Sequence, residues 1–129
     1  MTSISELVKN FMSLDDKVAA IFFATGKSEI TTNQQKLHSA FFELTKRYPS
    51  FFNEVHFKKG GRFPYSESLE QTFPGLAISG LLSCQNPEYN YYTMNKAQKK
   101  SIKNNIFSQF KKEEQEEIMN IATELISLL

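Results

Sequence analysis

The stretch GRFPYSESLEQTFPGLAISGLLSCQNPEYNYYTM, residues 61–94, carries the pattern that decides the fold. One helix face is indicated by residues at spacings of four, three and four, which are Leu69, Phe73, Leu76 and Gly80. Pro74 interrupts this pattern, because the residue before a proline disfavours helical geometry whereas a first helical turn accepts proline. The sequence therefore predicts two short helices, 66–72 and 74–80, with the appearance of a helix-turn-helix.

The second half of the stretch predicts a β-hairpin. Its runs LLSC and NYYTM are short and rich in apolar or aromatic residues, and QNPEY between them supplies the turn pair Asn86-Pro87. A helix that ends in SGLL and continues into a hairpin is typical of a winged helix, in which the hairpin is the wing. The predicted fold class is mainly α with a small β-hairpin, in a winged-helix-like single domain.

Three further helices are predicted before this stretch, each with polar residues that suit a helix start. The caps are Ser3 with Glu6, then Asp15 and Asp16, then Thr32 with Gln35. The apolar positions are Ile4, Leu7, Val8 and Phe11 in the first, most of Lys17 to Thr25 in the second, and Leu37, Phe41, Leu44 and Tyr48 in the third. Gly26 and Pro49 suit the ends of the second and third helices.

The periodicity changes between residues 51 and 64, where we expect a short strand or loop. Gly60-Gly61 permits a tight turn there, with basic residues at its exposed tip. After the hairpin, Lys96 to Phe110 and Glu113 to Leu129 predict two more helices that close the domain. Their core positions are Ile102, Ile106 and Phe110, and Ile118, Ile121, Ala122 and Leu125.

The composition suits one domain that covers residues 1–129. The chain is 40% hydrophobic and contains 12 phenylalanines, enough to bury a core. Its formal net charge is only +1, whereas proteins that bind nucleic acids by neutralising phosphates have a large excess of basic residues. Cys84 is the single cysteine, which excludes an internal disulfide. No charged start leads into a long apolar run, so we expect a cytoplasmic protein without a membrane partner.

The predicted recognition helix is a poor reader of DNA. A helix in the major groove presents Arg, Lys, Asn or Gln to base edges and positive charge to phosphates. The outward positions here are Ser66, Glu67, Glu70, Gln71, Gly75 and Ser79. The two carboxylates repel a polyanion, so an acidic solvated face is the favoured interpretation.

The basic residues fall into two groups outside this helix. The nucleic-acid-contact candidates are Lys58, Lys59 and Arg62 at the glycine turn, and Lys96, Lys99, Lys100 and Lys103 at the start of a helix. If the two groups meet in space, they form a phosphate-binding surface without base reading. The alternative is a solvated face that pairs with the acidic run Glu113, Glu114, Glu116 and Glu117.

Catalytic and cofactor sites have little support in the sequence. Cys84 with His38 or His56 is a nucleophile-and-base combination, but none of the three lies in a local signature, and a buried strand cysteine is favoured. The histidines lack partner ligands at zinc spacing, and the Gly60-Gly61 turn lacks the rest of a P-loop. We therefore predict no enzyme activity, no metal and no cofactor.

Aromatic residues near the hairpin indicate a protein partner. Tyr89, Tyr91 and Tyr92 are the candidate contacts, because tyrosine is favoured at binding hot spots. The alternative is that most of the rings pack beneath the wing, with Tyr89 the ring most expected to stay exposed. A homodimer through the last helix is a further hypothesis, based on its apolar residues Ile118, Ile121, Ile126, Leu128 and Leu129.

The order of these segments resembles the Panacea-type family of small bacterial proteins. The resemblance covers roughly residues 33–94 and rests on KLHSAFFEL, VHFKKGGRFPYS, ESLEQTFPGLAISGLL and the tyrosine-bearing hairpin. Family members have a Gly-Pro-Tyr-Ser-like motif before a helix that ends in Gly-Leu-Ile. The resemblance implies a winged-helix-like domain of phage, mobile-element or antitoxin-like context that acts by binding.

The sequence as a whole predicts a non-enzymatic regulatory or interaction protein. Its acidic recognition helix and near-neutral charge favour a protein partner. The alternative is a DNA-binding transcriptional regulator that uses the basic turn and the wing.

Overall fold

A computed structural model of the protein describes residues 12–84 and 88–129. The helix expected at Ser3 to Phe11 and the turn pair Asn86-Pro87 lie outside these residues. In chain order the described elements are α1 (Leu14–Ala24), β1 (Glu29–Thr31), α2 (Gln34–Arg47), α3 (Glu67–Ile78), β2 (Tyr91–Thr93), α4 (Lys96–Asn105), a 3-10 turn (Phe107–Gln109) and α5 (Lys112–Leu128). The described part is mainly helical with one small antiparallel sheet, as predicted.

The two described helices before the quoted stretch form where predicted, but with different caps. α1 begins after Ser13, whose Oγ accepts the Asp16 N–H at 3.1 Å, so the aspartates lie in the first turn and do not cap it. α2 begins after Asn33, whose Oδ1 accepts the Lys36 N–H at 3.0 Å, in place of the predicted Thr32 cap. Serine and asparagine are the stronger caps by residue type, which explains the second difference.

Phenylalanines from three helices form the centre of the core. The Phe22 ring of α1 stacks on Phe73 of α3 at a centroid distance of 6.1 Å and meets Phe41 of α2 edge-on at 6.4 Å. Phe41 and Phe73 are 5.5 Å apart, and all three rings are fully buried. Aromatic pairs in these orientations add to the free energy gained by burial. The core therefore fixes α3 against α1 and α2.

α3 runs through Pro74 without a break, so the predicted pair of short helices is wrong. A proline inside a helix removes one backbone hydrogen bond and costs about 3 kcal/mol relative to alanine. Pro74 lies on the exposed side of α3, whereas the opposite side buries Leu69, Phe73 and Leu76 in the core. Packing of this continuous apolar stripe offsets the local preference for a break.

The sheet pairs strands that are distant in sequence. β1 and β2 are antiparallel with the register Glu29 to Thr93, Ile30 to Tyr92 and Thr31 to Tyr91. The LLSC run contributes one bridge, in which Ser83 and Thr93 exchange N–H to carbonyl bonds of 2.8 and 2.7 Å. The predicted hairpin is thus reduced to a single bridge, and the main partner of β2 is β1.

The segment between α2 and α3 is a packed loop with only one bridge, Lys58 to Tyr65. Three apolar residues of this loop, Phe51, Phe52 and Val55, are buried in the core. Lys17 of α1 is hydrogen bonded at 2.9 Å to both the Phe51 carbonyl and the Glu54 carboxylate, which ties the loop to α1. Gly60, at the predicted turn, has a φ of 145°, a conformation that favours glycine.

α4 and α5 close the core, but the helix predicted from Lys96 to Phe110 ends at Asn105, and the 3-10 turn follows it. The residues expected in the core from these two segments are all buried, namely Ile102, Ile106, Phe110, Ile118, Ile121, Ala122 and Leu125. The side chains of Asn95 and Gln98 cap α4 reciprocally. α5 packs against both α1 and α2.

We expect Pro74→Ala to stabilise the protein by about 1–3 kcal/mol, because it restores an N–H to the interior of α3 and removes no buried contact. Urea unfolding followed by circular dichroism measures this change. Gly75→Ala is the matched control in the same turn: its new Cβ has only Asp15 Oδ2 within reach, at 4.0 Å, so we expect a gain of roughly 1 kcal/mol. If the Pro74→Ala variant is less stable than the natural chain, Pro74 makes a stabilising contact.

Candidate functional site

The exposed face of α3 divides into an acidic half and an apolar half. Ser66 caps the helix, its Oγ accepting the Leu69 N–H at 3.3 Å, and Glu67 and Glu70 follow in the first turn. Carboxylates are favourable there because the helix dipole is positive at that end. Pro74 and Ile78 continue the exposed face towards the end of the helix. The exposed face of α3 therefore presents negative charge and then apolar surface.

Ile78 is the most exposed large apolar residue in the described chain, at 87%. It lines a cavity of about 380 Å³ together with Ala77, Gly80, Leu82, Ser83, Cys84 and Gln98. Tyr89, which is 64% exposed, is close to this cavity, because its carbonyl oxygen is 4.0 Å from Cys84 Sγ. Large exposed groups of this kind are enriched in binding surfaces.

Thr32, the residue that follows β1, stabilises the backbone conformation of Tyr89. Tyr89 has a φ of 53°, in the left-handed region that non-glycine residues rarely adopt. Thr32 Oγ1 donates to the Tyr89 carbonyl at 2.8 Å, and the Thr32 N–H donates to the Asn90 carbonyl at 3.0 Å. Such backbone strain persists only when surrounding contacts enforce it. The tyrosine is thus fixed on a supported loop.

The structure separates the three predicted contact tyrosines. Tyr89 is exposed, as predicted, and so is Tyr91. Tyr92 is only 5% exposed and pairs with Ile30, so its prediction as a partner contact is wrong. Side chains alternate along a strand, so Tyr91 and Tyr92 lie on opposite faces of the sheet.

The basic turn contacts the acidic start of α3. Lys58 Nζ is 2.9 Å from Glu67 Oε1, and Lys59 Nζ lies 5.2 Å from the centre of the Phe42 ring. Arg62 is exposed at the same turn. The positive charge of Lys58 is therefore partly compensated, although an exposed pair of this kind contributes little to stability.

The lysines of α4 form a separate group. Lys96, Lys100 and Lys103 are exposed at spacings of four and three, which place them on one face, whereas Lys99 Nζ is hydrogen bonded to Ser28 Oγ at 2.9 Å. No hydrogen bond or ion pair among the described residues joins them to the basic turn. The alternative pairing with Glu113 to Glu117 is also not seen among the ion pairs of the described residues, and Glu114 is buried, accepting the Lys111 N–H.

A buried histidine positions the start of α3. His38 is 0% exposed, and its Nδ1 accepts the Ser66 N–H at 3.1 Å. Its Nε2 is 3.1 Å from Gln34 Oε1, so Nε2 carries the proton of a neutral ring. The ring also stacks on Tyr65 at a centroid distance of 5.1 Å. Burial lowers the pKa of His38, opposed by the nearby Glu70 carboxylate.

Both ring nitrogens of His38 are thus occupied, which prevents His38 from acting as a base for Cys84. Cys84 itself is half-buried, more exposed than the buried strand cysteine that we expected. Glu70 forms a hydrogen bond with the Tyr65 phenol, and this bond is the main cause of that group's raised pKa. Within residues 12–84 and 88–129, no group of three or more His, Cys, Asp or Glu side chains is placed to hold a metal ion.

Sequence reasoning missed the exposure of Ile78 and considered His38 only as a base or a zinc ligand, not as the acceptor that positions Ser66. Ile78 lies two positions after Leu76 and outside the predicted core stripe, so the helical spacing could have predicted that its side chain is exposed. His38 lies one position after Leu37 on α2, and no local pattern indicates that its ring reaches the backbone of Ser66.

Comparison of the chain with protein-family models, with curated proteins and with solved structures found no match. No helix among the described residues is long and apolar enough to span a membrane.

We expect the free energy of unfolding to fall as the pH is lowered below about 6.5, the usual histidine pKa. The lowered pKa of His38 means that the unfolded chain takes up a proton on this ring at a higher pH than the folded protein does, so acid favours unfolding. His38→Asn keeps an acceptor for Ser66 without titrating in this range. It should cost about 1–3 kcal/mol at neutral pH and remove the pH dependence between about 6.5 and 5.

Urea unfolding at a series of pH values checks this expectation. His56→Asn is the matched control, because His56 is the only other histidine and is exposed. A pH dependence that survives in the His38 variant and disappears in the His56 variant would contradict the assignment.

Proposed function

We propose that this protein is a non-enzymatic, winged-helix-like interaction module that binds a protein partner through α3 and the Tyr89 loop. α3 leads directly into the antiparallel bridge from Ser83 to Thr93, an arrangement that supports the winged-helix comparison. In the proposed winged helix, α3 is the recognition helix and Tyr89 belongs to the wing.

The observation that carries the proposal is the character of α3's exposed face. Glu67 and Glu70 are unfavourable opposite DNA phosphates, whereas the 87% exposure of Ile78 is unfavourable in water and is relieved by a protein surface. Tyr89 adds a second exposed ring, and its backbone carbonyl lies 4.0 Å from Cys84, which lines the same cavity. The matching partner surface has an apolar residue that enters the cavity and basic groups opposite the carboxylates.

The resemblance to the Panacea-type family supports a regulatory setting for this binding. An antitoxin-like protein of phage or mobile-element context acts in the cytoplasm by covering a partner, which requires a stable surface and no catalytic group. The exposed residues of the α3 face support this setting, since most of them are apolar or acidic and suit a surface that covers a partner.

Affinity capture with the immobilised protein and quantitative mass spectrometry tests the proposal. We expect one or a few proteins from a lysate of the source organism to be retained by the natural chain and reduced at least tenfold by Ile78→Asp or Tyr89→Ala, since truncating a hot-spot residue costs about 2 kcal/mol or more. Met119→Ser is the matched control, because Met119 is another exposed apolar residue, on α5. Retention that depends equally on all three residues would contradict a specific site.

DNA binding is the second candidate, favoured by the exposed lysines of α4 and the basic turn. Fluorescence anisotropy with a random duplex pool distinguishes the two functions. If the protein-binding proposal is correct, the natural chain shows no more than weak binding at low salt and none at physiological salt, since a few phosphate contacts are lost steeply as salt rises. Micromolar binding at physiological salt that is lost in Lys58→Ala/Lys59→Ala/Arg62→Ala would establish the DNA-binding alternative instead.

A further inference from the structure

β1 has one edge that no described strand occupies. Ile30 faces Tyr92 in the register, and the flanking bonds run from the Thr32 N–H to Asn90 and from the Met94 N–H to Ser28. In an antiparallel ladder alternate residues direct their backbone groups to the partner strand. The N–H and carbonyl groups of Glu29 and Thr31 therefore point away from β2, to the outer edge of a sheet that has two strands in the described chain.

An apolar groove lies along this edge. Its cavity of about 200 Å³ is lined by Thr25, Lys27, Glu29, Ile30, Thr31, Lys36, Ile126 and Leu129. Ile126 and Leu129 of the α5 end remain about two-fifths exposed beside it, at 39% and 41%. Two members of the apolar set predicted for a dimer, Ile118 and Ile121, are fully buried and do not contribute. Backbone donors and acceptors thus stand next to an apolar surface.

The rim of the groove is basic. Lys27 and Lys36 are both exposed, and Glu29 is the single carboxylate side chain among the lining residues. Within the described chain neither lysine has a carboxylate at ion-pair distance. Two lysines against one glutamate leave an excess of positive side-chain charge at this edge, which favours a ligand with carboxylates.

We propose that the β1 edge binds an extended acidic peptide segment of a partner protein by strand addition. The peptide backbone pairs with Glu29 and Thr31, an apolar side chain enters the groove against Ile126 and Leu129, and carboxylates reach Lys27 and Lys36. Open strand edges pair readily with extended chains, and alternate side chains then supply specificity. This surface lies on the opposite edge of the sheet from Ser83 and does not depend on the α3 face.

Charge decides between this occupant and a second copy of the chain. Two β1 edges that pair with each other bring two lysines and one glutamate from each copy to one short interface, and the resulting excess of like charge is unfavourable. An acidic peptide removes this repulsion. The homodimer is therefore the competing outcome of the test.

The probe is the acetylated peptide Asp-Thr-Val-Thr-Val-Asp, titrated into ¹⁵N-labelled full-length protein and followed by NMR. We expect the amide signals of Glu29 and Thr31 to shift more than that of Ile30, because only the outward N–H groups gain a partner. The same peptide methylated on alternate backbone nitrogens cannot pair and should bind at least tenfold more weakly. Absence of shifts at millimolar peptide, or equal binding of the methylated peptide, overturns the proposal.

Two variants complete the experiment. Thr31→Pro removes one outward N–H at a position where an edge strand tolerates proline, and should weaken peptide binding at least tenfold. Lys27→Glu/Lys36→Glu should do the same and gain affinity for a peptide with lysine in place of aspartate, whereas Lys96→Glu/Lys100→Glu on α4 should change neither. If Thr31→Pro does not fold, the methylated peptide carries the backbone test.

The outcomes separate this surface from the α3 face. Tyr89→Ala should leave peptide binding unchanged, and the lysine variants should leave capture by the α3 face unchanged. Concentration-dependent shifts at Glu29 and Thr31 without peptide, together with a dimer mass in light scattering, would assign the edge to a second copy and overturn the peptide proposal.

Discussion

The bond from the Ser66 backbone to the buried imidazole of His38 is the constraint on which the site depends. It joins the first turn of α3 to the middle of α2 across a long loop, and the stacking of His38 on Tyr65 holds the last part of that loop. Because the ring must stay neutral to accept this bond, its place deep in an aromatic core is consistent with its function in the fold. With the start of α3 fixed here and Phe73 fixed between Phe22 and Phe41, the exposed face of the helix has only one orientation.

The charges of the molecule are distributed in a way that separates its surfaces. Acidic groups occupy the start of α3, where they interact favourably with the helix dipole, and apolar groups occupy its end. Lysines occupy α4, which has no acidic residue, and the rim of the groove beside β1. A near-neutral net charge therefore conceals local surfaces of opposite sign, and each of them favours a ligand of the opposite charge. An average over the chain could not reveal this division.

The sequence predicted those elements whose signals are local. The apolar stripes of α2 and α5 repeat over several turns, so the existence and the buried faces of these helices followed from periodicity. β1 has only three residues and no periodic signal, so neither the strand nor its pairing with β2 was predictable, and the inward orientation of Tyr92 depended on that pairing. At Pro74 a correct local preference was outweighed by tertiary packing. In the site, the exposure of Tyr89 was predicted from its place near a turn, whereas the function of His38 required knowledge of which backbone group its ring meets.

The pairing of β1 with β2 has a further consequence for how the protein reaches its folded state. α2, the following loop and α3 all lie between the two strands in the sequence, so the ladder joins residues that are distant along the chain. Closing a long loop carries an entropic cost that contacts within one helix do not bear, so we expect the ladder to form late in folding. The outer edge of β1 and the conformation of Tyr89, which Thr32 supports, then depend on the same late step. On this expectation a newly made chain presents both surfaces only once the core is closed.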